Sequence, residues 1–319
     1  MNNETSFGNN LARTSDDLID YLYEKRKEKI RIFRDSGGID LHTHTNYSDG
    51  DLSPNELLNL AYENNISTIS ITDHNTVLGL KNIIRYDEIE YVNLIPGIEL
   101  SAKFDKGRMH ILGYGIDIKN EKLNQKLNEL KNNSFYKIIR LILQLEEDFG
   151  ITFDFVDINK IINNVNILER PHIAKLLVYY GYSSNIKEAF DNYLNYSYQK
   201  IKEKSSKLTY QECIDLIKQS GGIPVLAHPK SLELSEKEFL VLINEMINNG
   251  LMGIEVYHSS HTKEETEFYL SVAEKYNLLV SGGSDFHGQT VKPGINIGTG
   301  KGNLRIRKLS ILDELSRRT

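Results

Sequence analysis

The 319-residue sequence lacks the features that mark secreted and membrane-bound proteins. It has one cysteine, Cys213, so a disulfide within the chain is excluded and a reducing environment is favoured. The N-terminal segment lacks the continuous apolar stretch of a signal peptide, and no later apolar run is long enough to span a bilayer. We therefore expect a cytoplasmic protein with no role at a membrane.

The sequence also lacks an excess of positive charge. It has 38 Lys and Arg residues against 44 Asp and Glu residues, which gives a net charge of -6. Because such a surface has no general basic field, long nucleic acid is not an expected partner, and any affinity for phosphate has to come from a local site. With 39% hydrophobic and 26% charged residues the chain is long enough to fold as one large or two small domains. The oligomeric state stays open.

From residue 38 onward, short β-branched runs alternate with amphipathic helical stretches. Seven runs are interpreted as strands: GIDLH, STISITDH, LIPGIEL, MHILGYGI, IPVLAHP, GIEVYH and LLVSGGSDFH. Helix starts carry capping residues at the spacing of a capping box, as in Ser53 with Glu56 and Thr209 with Glu212. This alternation predicts an α/β fold with a parallel sheet and crossover helices, which can close into a barrel.

The pattern changes between residue 117 and about residue 206. This stretch is helical, rich in Asn, Lys and Tyr, and contains no convincing strand. The sequence therefore predicts an N-terminal helical extension (1–36), a metal-binding barrel made of two segments (37–117 and 207–319), and an inserted helical subdomain (118–206). The insertion either covers one mouth of the barrel or forms a wall that holds the substrate.

Seven of the nine histidines lie at, or just inside, an end of a predicted strand: His42, His44, His74, His110, His228, His258 and His287. His42 and His44 are two residues apart, so on a strand both rings point to the same side. In parallel barrels, functional groups gather at the carboxyl ends of the strands. His110 departs from this rule because it lies at the start of its strand.

Carboxylates accompany these imidazoles, and together they predict a metal centre. The nine candidate donors are His42, His44, Asp49, His74, Glu99, His110, His228, Asp285 and His287. Imidazoles with carboxylates and no thiolates suit Zn, Mn or Fe. A lone histidine is more often a hydrogen-bonded structural residue, but burying this whole set without cations would cost about 1–3 kcal/mol for each unpaired group. Nine donors exceed the roughly four of one zinc ion, so two or three ions are expected, with Glu99 as the candidate bridge.

Six short motifs, HTHTNYSDG, TDHNT, PGIELS, MHILGYGID, LAHP and SDFH, occur in this order. The chain resembles the PHP (polymerase and histidinol phosphatase) family of metal-dependent phosphoesterases from Ile39 to about Gly288. It most resembles the bacterial subgroup of 3',5'-nucleoside bisphosphate phosphatases, also described as 5'-to-3' exoribonucleases on short RNA. The resemblance implies a distorted (β/α)7 barrel of the PHP type with an inserted helical subdomain, and three divalent metal ions (Mn, Fe or Zn).

The resemblance also implies a ligand set for each ion: His42, His44, Glu99 and Asp285 around the first, Glu99, His110 and His228 around the second, and Asp49, His74 and His287 around the third. The expected reaction is hydrolysis of a phosphate monoester by a metal-activated hydroxide. The expected substrate is small and phosphorylated: the 3'-phosphate of a 3',5'-bisphosphonucleotide or of a short oligonucleotide would be removed.

Three further residues are candidates for substrate binding. Arg170 and His172, in an R-P-H element of the insertion, would hold a second phosphate, since a guanidinium makes bidentate contacts with phosphate oxygens. The plain alternative for Arg170 is a role in capping a helix. His261, in the segment YHSSH, would contact the scissile phosphate or its leaving group, or else lies in an ordinary surface loop.

Three other functions stay open at this point. The enzyme could act on another small ester such as histidinol phosphate. It could be a metal hydrolase of the amidohydrolase type, which also begins with a His-x-His motif on its first barrel strand. It could also be a metal-bound structural or regulatory domain, although degenerate domains of that kind normally lose ligands and here every position is filled.

Overall fold

The computed structural model places the seven predicted strand runs in a single sheet. It describes residues 25–29, 33, 36–83, 91–164, 168–201 and 207–318. The strands are β1 (Gly38–Thr43), β2 (Ile66–Ile71), β3 (Asn93–Ala102), β4 (Met109–Tyr114), β5 (Ile223–Leu226), β6 (Gly253–His258) and β7 (Leu279–Gly283). They are hydrogen-bonded in chain order, and Thr43 bridges to Phe286 just beyond β7. The sheet therefore curls into a nearly closed barrel, and the predicted α/β fold is confirmed.

One strand runs against the others. β4 is antiparallel to both β3 and β5, whereas the remaining neighbours are parallel. The expectation of parallel strands throughout is therefore wrong for β4. Its link to β3, residues 103–108, is short, and a short link can join only antiparallel neighbours. As a result β4 begins at the end of the barrel where the parallel strands finish, and this explains why His110 lies at the start of its strand.

Between residues 54 and 318, the described residues form eleven α-helices. They are α1 (Pro54–Glu63), α2 (Leu78–Lys81), α3 (Glu121–Phe149), α4 (Phe155–Asn164), α5 (Arg170–Tyr179), α6 (Ile186–Ala189), α7 (Asn195–Lys200), α8 (Tyr210–Gln219), α9 (Glu236–Asn248), α10 (Lys263–Tyr276) and α11 (Ser310–Arg318). The helices α1, α8, α9 and α10 begin with a complete capping box, led by Ser53, Thr209, Ser235 and Thr262. In each box the side chain of the capping residue and that of a glutamate three residues later satisfy free backbone N–H groups, which fixes where the helix starts.

Helices α3 to α7, together with a π-helical turn at Phe190–Leu194, lie between β4 and α8. Their apolar faces form a core of their own, which runs from Ile138 to Ile201 and includes Leu145, Leu177 and Leu194. The first part of α3 instead contributes Leu123 and Leu127 to the core around the barrel. The long helix α3 thus connects the barrel to the helices of the insertion.

Most of the predicted N-terminal extension lies outside the described residues; within it, residues 25–29 are helical. Across the described ranges, no helix combines the length and the apolar character needed to cross a membrane.

Candidate active site

The nine predicted donors meet at one mouth of the barrel. His42 lies in β1, Glu99 in β3 and His110 in β4, and the other six follow the ends of β1, β2, β5 and β7. Eight of the nine are buried, and His110 is partly buried. Asp285 has a positive φ of 58°, and His228 has a positive φ of 23°. Such backbone is costly for residues other than glycine, and it is typical of functional sites held in place by their surroundings.

Glu99 is at the centre of this cluster. Its two oxygens lie close to five imidazole nitrogens: Oε2 is 3.3 Å from His42 Nε2, 3.2 Å from His44 Nε2 and 3.1 Å from His74 Nδ1, and Oε1 is 2.8 Å from His110 Nδ1 and 2.9 Å from His228 Nε2. The carboxylate faces donors of all three ligand sets that the family resemblance implies. This position is the one that a bridging ligand requires.

Asp49 and Asp285 occupy the flanks of the cluster. Asp49 Oδ1 lies 3.2 Å from His287 Nε2, and its other oxygen lies 3.9 Å from His74 Nε2. Asp285 Oδ1 lies 3.3 Å from His44 Nε2 and 3.4 Å from His287 Nδ1. Asp49 therefore turns both oxygens toward imidazoles, and Asp285 turns Oδ1 toward them, as metal ligands would.

The buried polar atoms of the cluster test whether metal ions fit here. Within the described part of the chain, several of them have no hydrogen-bond partner: His42 Nε2, both nitrogens of His44, Asp49 Oδ1, His74 Nδ1, Glu99 Oε2 and His258 Nε2. Leaving such atoms unpaired costs about 1–3 kcal/mol each, and coordination of a cation removes that cost. Four sets of predicted donors have their ligand atoms within 4.8 Å of one another: His44, Asp49, His74 and His287; His42, Glu99 and His228; His42, His44 and Asp285; His74, Glu99 and His110. The residues fit divalent metal ions.

The electrostatics of the cluster keep its carboxylates ionised. Burial by itself raises the pKa of Glu99, but the neighbouring imidazoles of His74 and His110 hold that pKa well below its usual range. Burial likewise opposes ionisation of Asp285, and Lys292 and His287 lower its pKa well below the normal value. Desolvation lowers the pKa of His110 to about 3, so this imidazole is neutral and able to act as a ligand.

Several residues that support the donors were not predicted from the sequence. Glu255, buried in the middle of β6, accepts a hydrogen bond from His42 Nδ1 at 2.9 Å and one from the backbone N–H of His228 at 2.6 Å. It therefore fixes the orientation of one ring and the position of a second donor. A carboxylate between Ile254 and Val256 in a largely apolar strand was the signal that could have identified it.

Two more side chains contact Asp285 from its outer side. Lys292 Nζ lies 2.6 Å from Asp285 Oδ2, and His258 Nε2 lies 3.4 Å from the same oxygen. Asp285 is thereby held so that Oδ1 faces the imidazoles. No pattern in the sequence singled out Lys292, because it lies in the loop after β7. The course of that loop depends on glycines at positive φ, such as Gly288.

Asp73 holds the loop that follows β1. Its Oδ1 accepts hydrogen bonds from Thr45 N and Ser48 Oγ, and its Oδ2 accepts one from Thr45 Oγ1, each at 2.7 Å. The loop leads directly to Asp49. Asp73 therefore helps to fix the position of Asp49 by holding the backbone of this loop.

A cavity opens next to the cluster, between the mouth of the barrel and the insertion. Its lining includes Asp49, His74 and His110 on the barrel side. The insertion side and its flanks carry positive charge and aromatic rings: Arg108, Lys137, Arg170, Lys207, Phe190 and Tyr198. Phosphate and a nucleobase are the kinds of group that such a wall can bind.

Of the three predicted substrate residues, only Arg170 lines this cavity. Its guanidinium lies 4.3 Å from the centre of the Tyr198 ring and 5.3 Å from that of Phe190, so stacking fixes the side chain. His172 is buried and uses both nitrogens locally: Nε2 donates to the carbonyl of Ser48 at 2.9 Å, and Nδ1 accepts from Glu169 N at 3.0 Å. His172 thus connects α5 to the loop that carries Asp49.

His261 lies elsewhere. Its Nδ1 donates to the carbonyl of Val256 at 2.9 Å, and its ring centre is 5.2 Å from that of His258. It lines a different cleft, on the outer side of the loop that follows β6. The predicted contact between His261 and the substrate stays a prediction.

Comparison with known proteins identifies the family. The PHP domain matches residues 40–256. The 5'-3' exoribonuclease Rnm of Salmonella typhimurium is 30% identical over 257 residues, which cover 78% of this chain and 84% of that protein. The 3',5'-nucleoside bisphosphate phosphatase of Chromobacterium violaceum is 27% identical over 254 residues, with 78% and 87% covered.

A solved structure agrees with this result. A chain from Bifidobacterium adolescentis, described as a metal-dependent phosphoesterase, superimposes with a TM-score of 0.74 at 28% identity and covers 89% of this chain. The family match spans well over half of the sequence, and the donors at the barrel mouth fit divalent ions. The chain therefore belongs to the PHP domain family and is a metal-dependent phosphoesterase.

Proposed function

We propose that the protein removes the 3'-phosphate from 3',5'-bisphosphonucleotides and cleaves short oligonucleotides by the same reaction. The observation that supports this most directly is the position of Arg170. Its side chain lines the cavity that opens onto Asp49, His74 and His110, where a second phosphate of the substrate would lie while the first is hydrolysed. The family relatives named above act on substrates of this class. A cytoplasmic location is part of the proposal.

The nine donors would hold three divalent ions, Mn, Fe or Zn, in the sets His42, His44, Glu99 and Asp285; Glu99, His110 and His228; and Asp49, His74 and His287. When bound, such ions lower the pKa of water to roughly 7 and stabilise the charge that develops on phosphate oxygens. These sets are supported by the groups of side chains whose possible ligand atoms lie within 4.8 Å of one another, which share Glu99 and the cluster of Asp49, His74 and His287 with them.

The side chains of this chain then have separate tasks. Arg170 binds the second phosphate through paired N–H donors, which orients the first phosphate toward the cluster. Tyr198 and Phe190 hold the guanidinium and offer rings beside which a base can stack. Glu255 and His172 position the donors without touching the substrate.

Product formation from a panel of substrates tests the proposal: inorganic phosphate is measured for the phosphate monoesters and released mononucleotide for the RNA. The purified protein, loaded with Mn²⁺, is given adenosine 3',5'-bisphosphate, adenosine 5'-monophosphate, a 5'-phosphorylated RNA trimer, histidinol phosphate and a cyclic amide. We expect kcat/KM to be highest for the bisphosphate and the trimer. A higher kcat/KM for histidinol phosphate would reassign the substrate, and ring opening of the cyclic amide without turnover of any phosphorylated substrate would overturn the reaction class.

A further inference from the structure

A second cleft lies between the start of α10 and the segment 303–308. Four exposed cations line it: Lys263, Arg305, Arg307 and Lys308. Among the described residues that line this cleft, none carries a carboxylate. Over the whole chain acidic residues outnumber basic ones by 44 to 38. The cleft is therefore a local concentration of positive charge on an acidic protein, of the kind that attracts polyanions.

The backbone of the segment presents these cations in a fixed direction. Leu304 and Ile306 are buried, while Arg305 and Arg307 are exposed, as in an extended strand with one face on the protein. The carbonyl of Ile306 accepts a hydrogen bond from Ile39 N at 3.1 Å, which attaches the segment to β1. Arg307 Nη1 donates to the carbonyl of Ser36. The cations thus stand on a segment anchored to the barrel.

The cleft is separated from the metal centre by one loop. Asn303, in the cleft lining, donates from Nδ2 to the carbonyl of His258 at 3.3 Å and to that of His261 at 3.4 Å. The ring of His258 reaches the other way, with Nε2 3.4 Å from Asp285 Oδ2. The described residues that line this cleft and those that line the cavity under the insertion have no member in common. The metal centre therefore has a phosphate-binding cavity beside Asp49 and His74, and a basic cleft beyond His258.

We propose that this cleft binds the phosphodiester backbone of an RNA strand downstream of the phosphate that is hydrolysed. The proposal rests on the proposed function. In that reaction water adds to phosphorus and the bond from phosphorus to the 3' oxygen of the terminal nucleotide breaks. The 3' oxygen takes a proton, and the phosphate stays on the downstream strand. With the terminal nucleotide under the insertion, the downstream strand has to leave the centre on another side.

The lining of the cleft suits single-stranded nucleic acid. Besides the cations it contains Tyr257, whose ring is partly exposed, and the polar side chains of Thr262, Thr266 and Asn303. Cations along a groove together with an aromatic ring are the usual means of binding single strands without sequence preference. The charge of the rest of the protein remains unfavourable to long nucleic acid, so the contact would cover a few nucleotides.

The double variant Arg305→Gln/Lys308→Gln tests the proposal, with Arg307 left intact because it contacts the backbone of Ser36. The matched control is Lys122→Gln/Lys237→Gln, which removes two exposed charges elsewhere. KM is measured in the Mn²⁺-loaded protein for adenosine 3',5'-bisphosphate and for a 5'-phosphorylated RNA hexamer at several salt concentrations. We expect KM for the hexamer to rise about tenfold in the double variant. The slope of log KM against log salt concentration should decrease by about 1.4, the value for two lost phosphate contacts on a single strand. KM for the bisphosphate should not change.

Each other outcome decides between the two proposals. An unchanged KM for the hexamer, with normal turnover of the bisphosphate, would refute the cleft and leave the proposed function standing. An equal rise for both substrates would assign the cleft to a free nucleotide and refute a strand-binding role. If neither substrate is turned over, the proposed function fails. Fluorescence anisotropy with a labelled hexamer then decides about the cleft: weaker binding by the double variant than by the control supports it, and equal binding rejects it.

Discussion

The mouth of the barrel and the wall that faces it are built differently. At the mouth, the donors lie on strands or in the segments that follow them, and nearly all of them are buried. In the wall, Arg170 and Tyr198 stand on two different short helices that pack around a separate core. Under the proposed function, this comparison assigns reaction chemistry and substrate selection to different parts of the molecule. Changes at the mouth should affect the chemical step and metal binding, and changes in the wall should affect substrate binding.

The largest effect is expected for Glu99→Gln. Glu99 faces five imidazoles, and an amide cannot replace a bridging carboxylate. If the bound metal ions stabilise the transition state less well by several kcal/mol, kcat decreases by ~10³-fold. The measurement is kcat on the bisphosphate together with metal content by mass spectrometry. The exposed Glu236→Gln is the control, and a decrease of less than tenfold would show that the mouth does not work through this carboxylate.

A smaller effect is expected for Glu255→Gln. The amide retains the shape of the side chain but loses the charge that orients His42 and holds the His228 backbone. Changes in such outer partners reduce metal affinity or activity by about 10- to 100-fold. Titration of metal-free protein with Mn²⁺ by calorimetry measures the change. Glu267→Gln, on the exposed side of α10, should leave the titration as it is; equal curves for all three proteins would contradict the role of Glu255.

In the wall, Arg170→Gln should change binding and not chemistry. A hydrogen bond to a charged group contributes about 1.5–3 kcal/mol, so KM for the bisphosphate should rise by about 10- to 100-fold. KM for a nucleoside 3'-monophosphate, which lacks the second phosphate, should stay the same. Arg170→Lys keeps the charge without the planar fork and should give an intermediate KM. Equal effects on both substrates would mean that Arg170 supports the fold of the insertion instead.

The last effect is on stability and not on activity, and it concerns the pH dependence of stability at the boundary between the two regions. Burial, with a contribution from the charge of Asp49, raises the pKa of Glu169 to about 7. A carboxyl group whose pKa is higher in the folded than in the unfolded protein favours the folded state at low pH. This contribution to stability is lost as the pH rises from the unfolded pKa to the folded pKa, here from about 4.5 to about 7. Relative to Glu169→Gln, the chelated wild-type protein should therefore lose up to about 3 kcal/mol between pH 4 and pH 8.

Chemical unfolding of both proteins across this pH range measures the difference. Glu121→Gln, an exposed acidic residue at the start of α3, serves as the control and should follow the wild type. Parallel curves for the wild type and Glu169→Gln would mean that this carboxyl is solvated in the folded protein.

The convergence of the nine proposed donors could be predicted because most of them stand at or near an end of a strand that its own neighbours make recognisable. His42 and His44 follow from the alternation of a strand, and the capping box at Ser53 marks where the next helix begins. The antiparallel direction of β4 could not be predicted from its apolar residues, because a buried strand has the same apolar pattern whether it runs parallel or antiparallel to its neighbours. Glu255 and Lys292 were missed because their roles depend on partners 213 and 7 residues away, across the sheet and across a loop.

The sequence by itself determined the number of strands, the starts of four helices and the residues proposed as donors, because these depend on patterns between residues that are close in the chain. Only the tertiary structure decided that His172 supports a loop instead of lining the cavity, that His261 faces a separate cleft, and that Glu99 lies among five imidazoles. These outcomes depend on the curvature of the sheet and the packing of α5 and α10, which bring together residues that no local pattern relates.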